Sequence, residues 1–295
     1  MRGKIIKGIA GFYYVQAEDG VLYACKAKGI FRNRKEKPLV GDNVEMEVTH
    51  EGDREGNITD LLPRSSMLLR PAVANVDQAL VLFAVAKPKP NLSLLDRFLI
   101  MMDRQKIPAL ICFNKTDEAS EAETERLRGI YAGCKSRLLF ISAKYGDGLK
   151  ELNSLLKGHT TTVAGPSGVG KSTLINLLAP HAGMETGNIS EKIDRGKHTT
   201  RHSELFCLEN GGYIFDTPGF SSLELGTMEK EELRYSFPEF AAYEGRCRFQ
   251  GCVHINEPDC AVKQAVESGA VHKDRYESYR ALFEELKERE KRRYT

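Results

Sequence analysis

The chain has 295 residues, of which 41% are hydrophobic and 28% charged, a composition typical of a soluble globular protein with two or three domains. Lysine and arginine exceed aspartate and glutamate by only two charges, so any contact with nucleic acid must come from local basic patches. No run approaches the ~18 apolar residues of a membrane span, and the first residues lack the apolar core of a signal peptide. We therefore expect a cytoplasmic protein with no membrane partner.

The first part of the chain lacks a helical period and is divided by turn signals such as Asp19-Gly20. Its alternating segments predict five short strands, at 4–10, 12–18, 21–28, 43–48 and 57–61. Five strands in ~60 residues are typical of a small closed barrel, and among such barrels the OB-fold commonly binds oligonucleotides. We predict an OB-fold RNA-binding domain over residues 1–63.

A basic segment between two of these strands, residues 26–37, surrounds Phe31 with lysines and arginines. Such a composition can hold a phosphate backbone while the aromatic ring stacks on a base. The segment therefore favours RNA contact, and a solvated loop is the alternative interpretation.

After a linker at 63–66, the pattern changes to alternating strands and helices. Strands are predicted at 78–86, 108–113 and 137–141, and helices at 92–105, 119–131 and 148–156. This alternation indicates a mostly parallel sheet covered on both faces, so we predict an α/β domain over residues 64–225. Its ligand is expected beyond the carboxyl ends of the strands.

Two loops carry polar residues at such strand ends: Asn114, Lys115 and Asp117 in one, and Ser142, Ala143 and Lys144 in the other. Guanine presents N1–H and a 2-amino group, from which one fixed carboxylate accepts two hydrogen bonds, and adenine lacks this pair. Asp117 is the candidate carboxylate. Asn114 would bridge the base edge and the phosphate loop, Lys115 would lie along the ring, and the Ala143 N–H would donate to O6. Charge-assisted bonds of ~1.5–3 kcal/mol each explain a preference for guanine.

A glycine-rich segment follows a short apolar run and leads into a helical pattern. It matches G-x-x-x-x-G-K-[ST], in which backbone N–H groups surround phosphates, the lysine meets the β- and γ-phosphates, and the serine binds Mg²⁺. The candidate phosphate-binding residues are Gly165, Pro166, Ser167, Gly168, Val169, Gly170, Lys171, Ser172 and Thr173.

Two further strands, at 204–208 and 212–215, end at Asp216. An aspartate in this position can hold the hydration shell of Mg²⁺, and the N–H of Gly219 can meet the γ-phosphate. The stretch 184–203 would supply a threonine to the same ion, with Thr200 the candidate and Thr199 the reserve. We therefore expect Mg²⁺ to be held by Ser172, Thr200 and Asp216.

The C-terminal part, residues 226–295, is predicted to be a helical zinc-binding domain, with helices at 230–235, 261–267 and 273–292. Cys247, Cys252, His254 and Cys260 have the spacing C-x4-C-x-H-x5-C. Three thiolates and an imidazole suit one closed, structural Zn²⁺ site, and isolated core cysteines are the alternative. The last helix carries an apolar stripe that predicts core packing. Its basic end is either solvated or in contact with RNA.

These motifs resemble those of the translation-factor-like GTPases, but in ordinary members the phosphate loop comes first. Here Asn114 and Ser142 precede Gly165, so the chain looks circularly permuted. With the N-terminal barrel and the cysteine cluster, this order resembles the RsgA (YjeQ, YloQ) family of GTPases. The resemblance implies GTP hydrolysis during late maturation of the 30S ribosomal subunit, with stimulation by the subunit and its rRNA, and GTP and GDP as ligands. We expect a monomer.

The catalytic candidates are His198, Lys171 and Thr200. Phe220 stands where many GTPases have a water-orienting glutamine, which predicts slow intrinsic hydrolysis. The resemblance points to His198 as the group that orients the water once a partner is bound; an exposed loop histidine is the alternative. Two other functions remain open: an RNA-binding assembly factor that uses GTP as a binding switch, and a P-loop kinase or ATPase, which Asp117 disfavours.

Overall fold

A computed structural model describes residues 1–29, 31, 34, 36–69, 72–184, 204–216, 225 and 228–293. The chain divides into two compact units, one of Met1–Leu80 with Leu149–Phe220 and the other of Val81–Gly148 with Ser221–Thr295. The predicted domain boundaries at 63 and 225 remain predictions. No helix among the described residues is both long enough and apolar enough to cross a bilayer.

The first unit begins with a closed five-stranded barrel, as predicted. Its strands are β1 Arg2–Ile9, β2 Phe12–Ala17, β3 Leu22–Ala27, β4 Asn43–His50 and β5 Glu55–Leu61. They follow the order β1-β2-β3-β5-β4 around the barrel, and β3 and β5 are parallel. Alternate residues point inward, so that Ile5, Val15, Val44 and Ile58 are fully buried.

A short hairpin that the sequence pattern does not predict follows the barrel. Strands β6 Met67–Leu69 and β7 Ala72–Ala74 pair with each other, and Val73 bridges Val40, which lies just before β4 of the barrel. The buried side chain of Asn75 donates to the carbonyl of Gly41 at 3.0 Å. The predicted linker thus leads into a hairpin fastened to the barrel.

A six-stranded sheet confirms the α/β prediction. Its strands are β8 Gln78–Ala84, β9 Ala109–Asn114, β10 Arg137–Phe140, β11 Thr160–Ala164, β12 Phe206–Cys207 and β13 Tyr213–Asp216. Their order is β10-β9-β8-β11-β13-β12. Strands β9 and β10 run parallel, as do β11 and β13, and β12 is an antiparallel edge. The boundary between the two units falls inside β8, whose seven residues are all buried.

Six α-helices lie among the described residues: α1 Leu92–Arg104, α2 Glu121–Tyr131, α3 Leu149–Leu156, α4 Lys171–Leu178, α5 Ala261–Glu267 and α6 Lys273–Arg293. Asn91 caps α1, and a capping box of Ser120 and Glu123 begins α2. The helix predicted at 230–235 is a 3-10 helix, Lys230–Ser236, followed at once by a second, Pro238–Tyr243. Pro238 cannot continue the hydrogen-bonding pattern of the first, which explains the break.

The second unit contains its own apolar core, in which α6 packs against α1. The predicted stripe of α6 is buried, including Tyr279, Leu282 and Leu286, and Ile100 of α1 joins the same cluster. Core packing therefore accounts for the stripe. As a result, the C-terminal helix belongs to the compact unit that contains β9 and β10.

Candidate nucleotide-binding site and metal centre

The two loops predicted to recognise a base lie in the second unit and are joined by hydrogen bonds. Asn114 is the last residue of β9, and its side chain is only 2% exposed. Its Oδ1 accepts the backbone N–H of Ala143 at 3.0 Å. Since β9 and β10 are parallel neighbours, their carboxyl ends bring the two loops to the same edge of the sheet.

The side chain of Asp117 is held by the second loop. The hydroxyl of Ser142, fully buried, donates to Asp117 Oδ1 at 2.6 Å and accepts the N–H of Tyr145 at 3.3 Å. Ser142 therefore fixes the direction of the carboxylate, which retains lone pairs for further donors. A carboxylate oriented in this way can accept two hydrogen bonds from one edge of a guanine.

Two lysines of these loops have defined surroundings. Lys115 adopts a left-handed backbone conformation, with φ 64° and ψ 41°, and its ammonium donates to the carbonyl of Lys87 at 3.0 Å. Lys144 Nζ lies 5.0 Å from the ring centre of Tyr145, and its hydrogen bond with the Tyr145 hydroxyl raises the pKa of Lys144. The carbonyl of Lys87 and the ring of Tyr145 are contacts that the motif residues themselves do not predict.

The glycine-rich loop lies in the first unit, between β11 and α4. Gly170 has φ 96° at the turn into α4, a conformation that glycine adopts without strain. The ammonium of Lys171 folds back over the loop and donates to the carbonyls of Gly165 at 2.9 Å and Pro166 at 2.7 Å. Val169 is buried and anchors the middle of the loop. The loop is thus closed around its own lysine.

Two of the three candidate Mg²⁺ ligands lie among the described residues. Ser172 is the second residue of α4 and is half-buried. Asp216 ends β13 and lies opposite Val163 of β11, just before the glycine-rich loop. The other candidates of this part of the site, Thr199, Thr200, His198, Gly219 and Phe220, lie outside the described residues.

The four predicted metal ligands converge in the second unit. The ligand atoms of Cys247, Cys252, His254 and Cys260 all lie within 4.8 Å of one another. His254 Nδ1 is 3.3 Å from the Cys260 sulfur and 3.6 Å from the Cys247 sulfur, and these two sulfurs are 3.9 Å apart. Ligands about 2.3 Å from a tetrahedral zinc ion lie roughly 3.8 Å apart, so the cluster has the size of such a site and could hold a metal ion.

Groups around the cluster orient the histidine. His254 is 1% exposed, and its Nε2 lies 3.3 Å from Glu244 Oε1. This contact leaves Nδ1 to face the thiols, the usual arrangement of a metal-binding histidine. Burial lowers the pKa of His254 and so favours the neutral imidazole that a metal requires. The Tyr276 hydroxyl donates to the His254 carbonyl at 2.6 Å.

Two acidic residues of this centre were not predicted from the sequence. Glu244 precedes the first cysteine and carries no local signal of its role. Glu257 accepts the N–H groups of Val253 at 2.8 Å and Ile255 at 2.9 Å, and its position between two ligands is the signal that could have identified it. Together they hold the ligand loop in shape.

Comparison with known families identifies two matching regions. A model of the RsgA GTPase family matches residues 61–226, and a model of the RsgA N-terminal domain matches residues 2–58. The first region contains the two loops predicted to recognise a base and the glycine-rich loop, and the second corresponds to the barrel.

Relatives and solved structures match nearly the whole chain. The small ribosomal subunit biogenesis GTPase RsgA of Agathobacter rectalis is 55% identical over 301 aligned residues, which cover 99% of this chain and 100% of the relative. A crystal structure of YjeQ from Thermotoga maritima is 36% identical, with a TM-score of 0.80 over 97% of this chain and 98% of that one. The structure of YloQ, a circularly permuted GTPase, is 39% identical, with a TM-score of 0.77 over 98% of this chain and 95% of that one.

Proposed function

The chain belongs to the RsgA GTPase family, and from this membership we propose that it hydrolyses GTP during maturation of the small ribosomal subunit. The observation that carries the choice of nucleotide is the pair of bonds that joins the two base loops, from Ser142 to Asp117 at 2.6 Å and from Ala143 to Asn114 at 3.0 Å. They hold a carboxylate and an amide at the ends of adjacent parallel strands. Because only guanine offers two donors to such a carboxylate, GTP is favoured over ATP.

In this proposal the base is bound by Asn114, Lys115 and Asp117 with the loop of Ala143. The phosphates are bound by the glycine-rich loop. The ammonium of Lys171, which now donates to two loop carbonyls, would exchange them for the β- and γ-phosphate oxygens. The Mg²⁺ that accompanies GTP in this family is assigned to Ser172, Thr200 and Asp216. When bound, it would supply positive charge that neutralises the phosphates.

The hydrolytic roles rest on the sequence. We assign His198 to the attacking water, Thr200 to Mg²⁺ and Lys171 to the charge that develops on the phosphates. Ala143 donates to Asn114 in the described structure, so its proposed bond to guanine O6 requires that its N–H be shared or exchanged when the base binds.

We propose the 30S subunit and its rRNA as partners, in the cytoplasm, with the chain acting as a monomer of three domains. Phe31 is only 2% exposed, so the prediction that its ring stacks on a base is wrong. Support for RNA contact by the barrel comes instead from Phe12, which is 39% exposed with the ammonium of Lys26 5.1 Å from its ring centre. An aromatic face beside a cation is a common platform for a nucleotide. Zinc is the proposed ion at the cysteine cluster because the donor set is three sulfurs and one imidazole.

The test is GTP turnover of the purified chain, measured with and without 30S subunits. Hydrolysis that rises when subunits are added supports the proposal. A second candidate, an assembly factor that uses GTP as a binding switch, is favoured by Phe220 in the place of a water-orienting glutamine. In that case subunits would bind in a GTP-dependent manner while turnover stays at its basal value.

A further inference from the structure

An irregularity in β1 turns one carbonyl of the barrel outward. Residue Ile5 pairs with Val15 and Lys7 with Tyr14, so the register with β2 skips Ile6. The carbonyl of Ile6 instead accepts the N–H of Leu205 at 2.8 Å. A bulge of this kind interrupts the hydrogen-bond ladder and changes the direction of the backbone groups beside it. Here the carbonyl of Ile6 points away from β2 and bonds to Leu205, which lies far along the chain.

An ion pair reinforces this contact. Lys7 and Glu204 form an antiparallel bridge, and Lys7 Nζ lies 2.8 and 2.9 Å from the two carboxylate oxygens of Glu204. The two side chains are only 30% and 34% exposed, and neighbouring Leu205 is buried. The chain then continues directly into β12, which pairs with β13. The barrel is therefore hydrogen-bonded to the two residues that directly precede β12.

A second anchor lies at the other end of the intervening sequence. Asn176 of α4 donates through Nδ2 to the Met184 carbonyl at 2.8 Å, and its Oδ1 accepts the Met184 N–H at 2.7 Å. Both backbone groups of Met184 are thus held by the helix that begins with Lys171. The sequence between Met184 and Glu204 carries His198 and Thr200.

We propose that the Lys7–Glu204 pair is a positioning element for GTP hydrolysis, through which the barrel fixes the chain just after the catalytic segment. The inference rests on the proposed function, because it takes His198 and Thr200 as catalytic residues. Three residues separate Thr200 from Glu204 along the chain, so the pair fixes the chain close in sequence to the proposed Mg²⁺ ligand. Neither Lys7 nor Glu204 belongs to the proposed nucleotide site. The pair would therefore affect hydrolysis only by fixing the position of the chain at Glu204.

The experiment compares Lys7→Met, Glu204→Gln and the charge-swapped double variant Lys7→Glu/Glu204→Lys. Single-turnover GTP hydrolysis is measured with and without 30S subunits, and GDP affinity is measured by fluorescence titration. We expect each single variant to lower the hydrolysis rate constant by about 3- to 10-fold. The affinity for GDP should stay within about twofold of the wild-type value. The double variant should recover most of the rate, since it restores an ion pair at the same place.

The matched control is Arg2→Met on the same strand. Arg2 lies 3.8 Å from Glu45, and both side chains are well exposed, so this variant should leave subunit-independent turnover unchanged. The inference is overturned if the single variants hydrolyse GTP at the wild-type rate, if Arg2→Met loses as much, or if the double variant is no better than the single ones. A wild-type chain that fails to hydrolyse GTP would instead refute the proposed function, so the two failures are distinguishable.

Thermal unfolding of each variant separates positioning from loss of folding. If a single variant fails to fold, the anchor at Asn176 provides the second test, because Asn176→Asp keeps the acceptor for the Met184 N–H and removes the donor to its carbonyl. If anchoring the ends of the segment matters for hydrolysis, Asn176→Asp should lower the hydrolysis rate and leave GDP affinity unchanged. A wild-type hydrolysis rate of Asn176→Asp would count against the proposal.

Discussion

The guanidinium of Arg275 in α6 donates to the carboxylate of Asp96 in α1, although the two residues are 179 positions apart in the sequence. The two side chains are 3% and 1% exposed. Arg275 also donates to Glu239, with Nε 2.6 Å from Oε1. Burial opposes the charge of Arg275, but the two carboxylates outweigh it and raise the pKa of the guanidinium. A single cation thus joins three elements of the second unit.

Replacing Arg275 by methionine should destabilise the fold strongly. The change leaves two buried carboxylates without their cation, a loss that costs about 3–5 kcal/mol of unfolding free energy. Urea unfolding followed by circular dichroism measures it. Arg126→Met is the control, because the Arg126–Asp274 pair also joins α6 to a neighbouring helix but is more exposed, and its loss should cost less than about 1 kcal/mol. Equal effects of the two substitutions would show that burial does not decide the strength of these pairs.

The substitution Asp117→Asn should change nucleotide preference. It replaces a carboxylate that accepts from guanine N1–H and N2–H₂ by an amide with one acceptor, so GTP affinity should fall at least about 100-fold, given bonds of ~1.5–3 kcal/mol each. Xanthosine triphosphate should bind better than GTP, because its 2-oxo group accepts from the amide. Fluorescence titration with both nucleotides measures this, with the exposed Asp103→Asn as control. Competition by ATP as effective as that by GTP would exclude Asp117 from base recognition.

Metal content tests the cysteine cluster. Purified without chelators, the chain should contain about one zinc ion, and Cys260→Ser should lose it because one of four ligands is removed. Glu244→Gln should keep the ion but bind it 10- to 100-fold more weakly, as expected for a group that orients a ligand. Elemental analysis and chelator titration provide the measurements. Cys134→Ser, outside the cluster, should retain the wild-type content, and a metal-free wild-type protein would rule the assignment out.

Gly41→Ala should weaken the contact between barrel and hairpin. Gly41 has φ 92°, and a Cβ there would overlap the carbonyl oxygen of Ala74. The left-handed conformation alone costs about 1–2 kcal/mol for an alanine, and the overlap adds to it. Gly20→Ala is the matched control, since Gly20 has φ 81° with open space around it. Thermal unfolding should show a clearly larger loss of stability for Gly41→Ala than for Gly20→Ala. Equal losses would show that the hairpin shifts and relieves the overlap.

His198→Ala tests the proposed catalytic histidine. If His198 orients the attacking water, the change should lower 30S-stimulated kcat by about 10²- to 10⁴-fold, the usual contribution of such a group, with GTP affinity nearly intact. His159→Ala, an exposed histidine next to β11, should have no effect on turnover. Wild-type stimulated turnover of the His198 variant would remove this residue from the mechanism.

The local features of the site were predictable from sequence because each depends on neighbouring residues. The alternation of β1 to β5 predicts the barrel, and the loops of Asn114 and Ser142 follow strands whose apolar runs predict a parallel sheet. The cysteine spacing likewise brings its ligands together in the structure. In each case the relevant residues lie within one or two adjacent elements, so periodicity and spacing are sufficient.

The contacts that join distant segments were not predictable in this way. Arg275 lies in a helix rich in charged residues and looks like part of a solvated surface, and no local pattern shows that Asp96 and Glu239 surround it. Strands β6 and β7 have only three residues each, too few for a period, and their place depends on the close approach of Gly41 to Ala74. The bulge at Ile6 has no sequence signature because it is defined by its partner.

The bond between Asp96 and Arg275 also sets an order of events during translation. Asp96 is synthesised 179 residues before Arg275, a delay of roughly 10–35 s at the usual 5–20 residues per second. During that interval the helix that contains Asp96 lacks the cation that lies beside this carboxylate in the folded chain. The buried ion cluster of the second unit can therefore be completed only after the glycine-rich loop of the first unit has been synthesised.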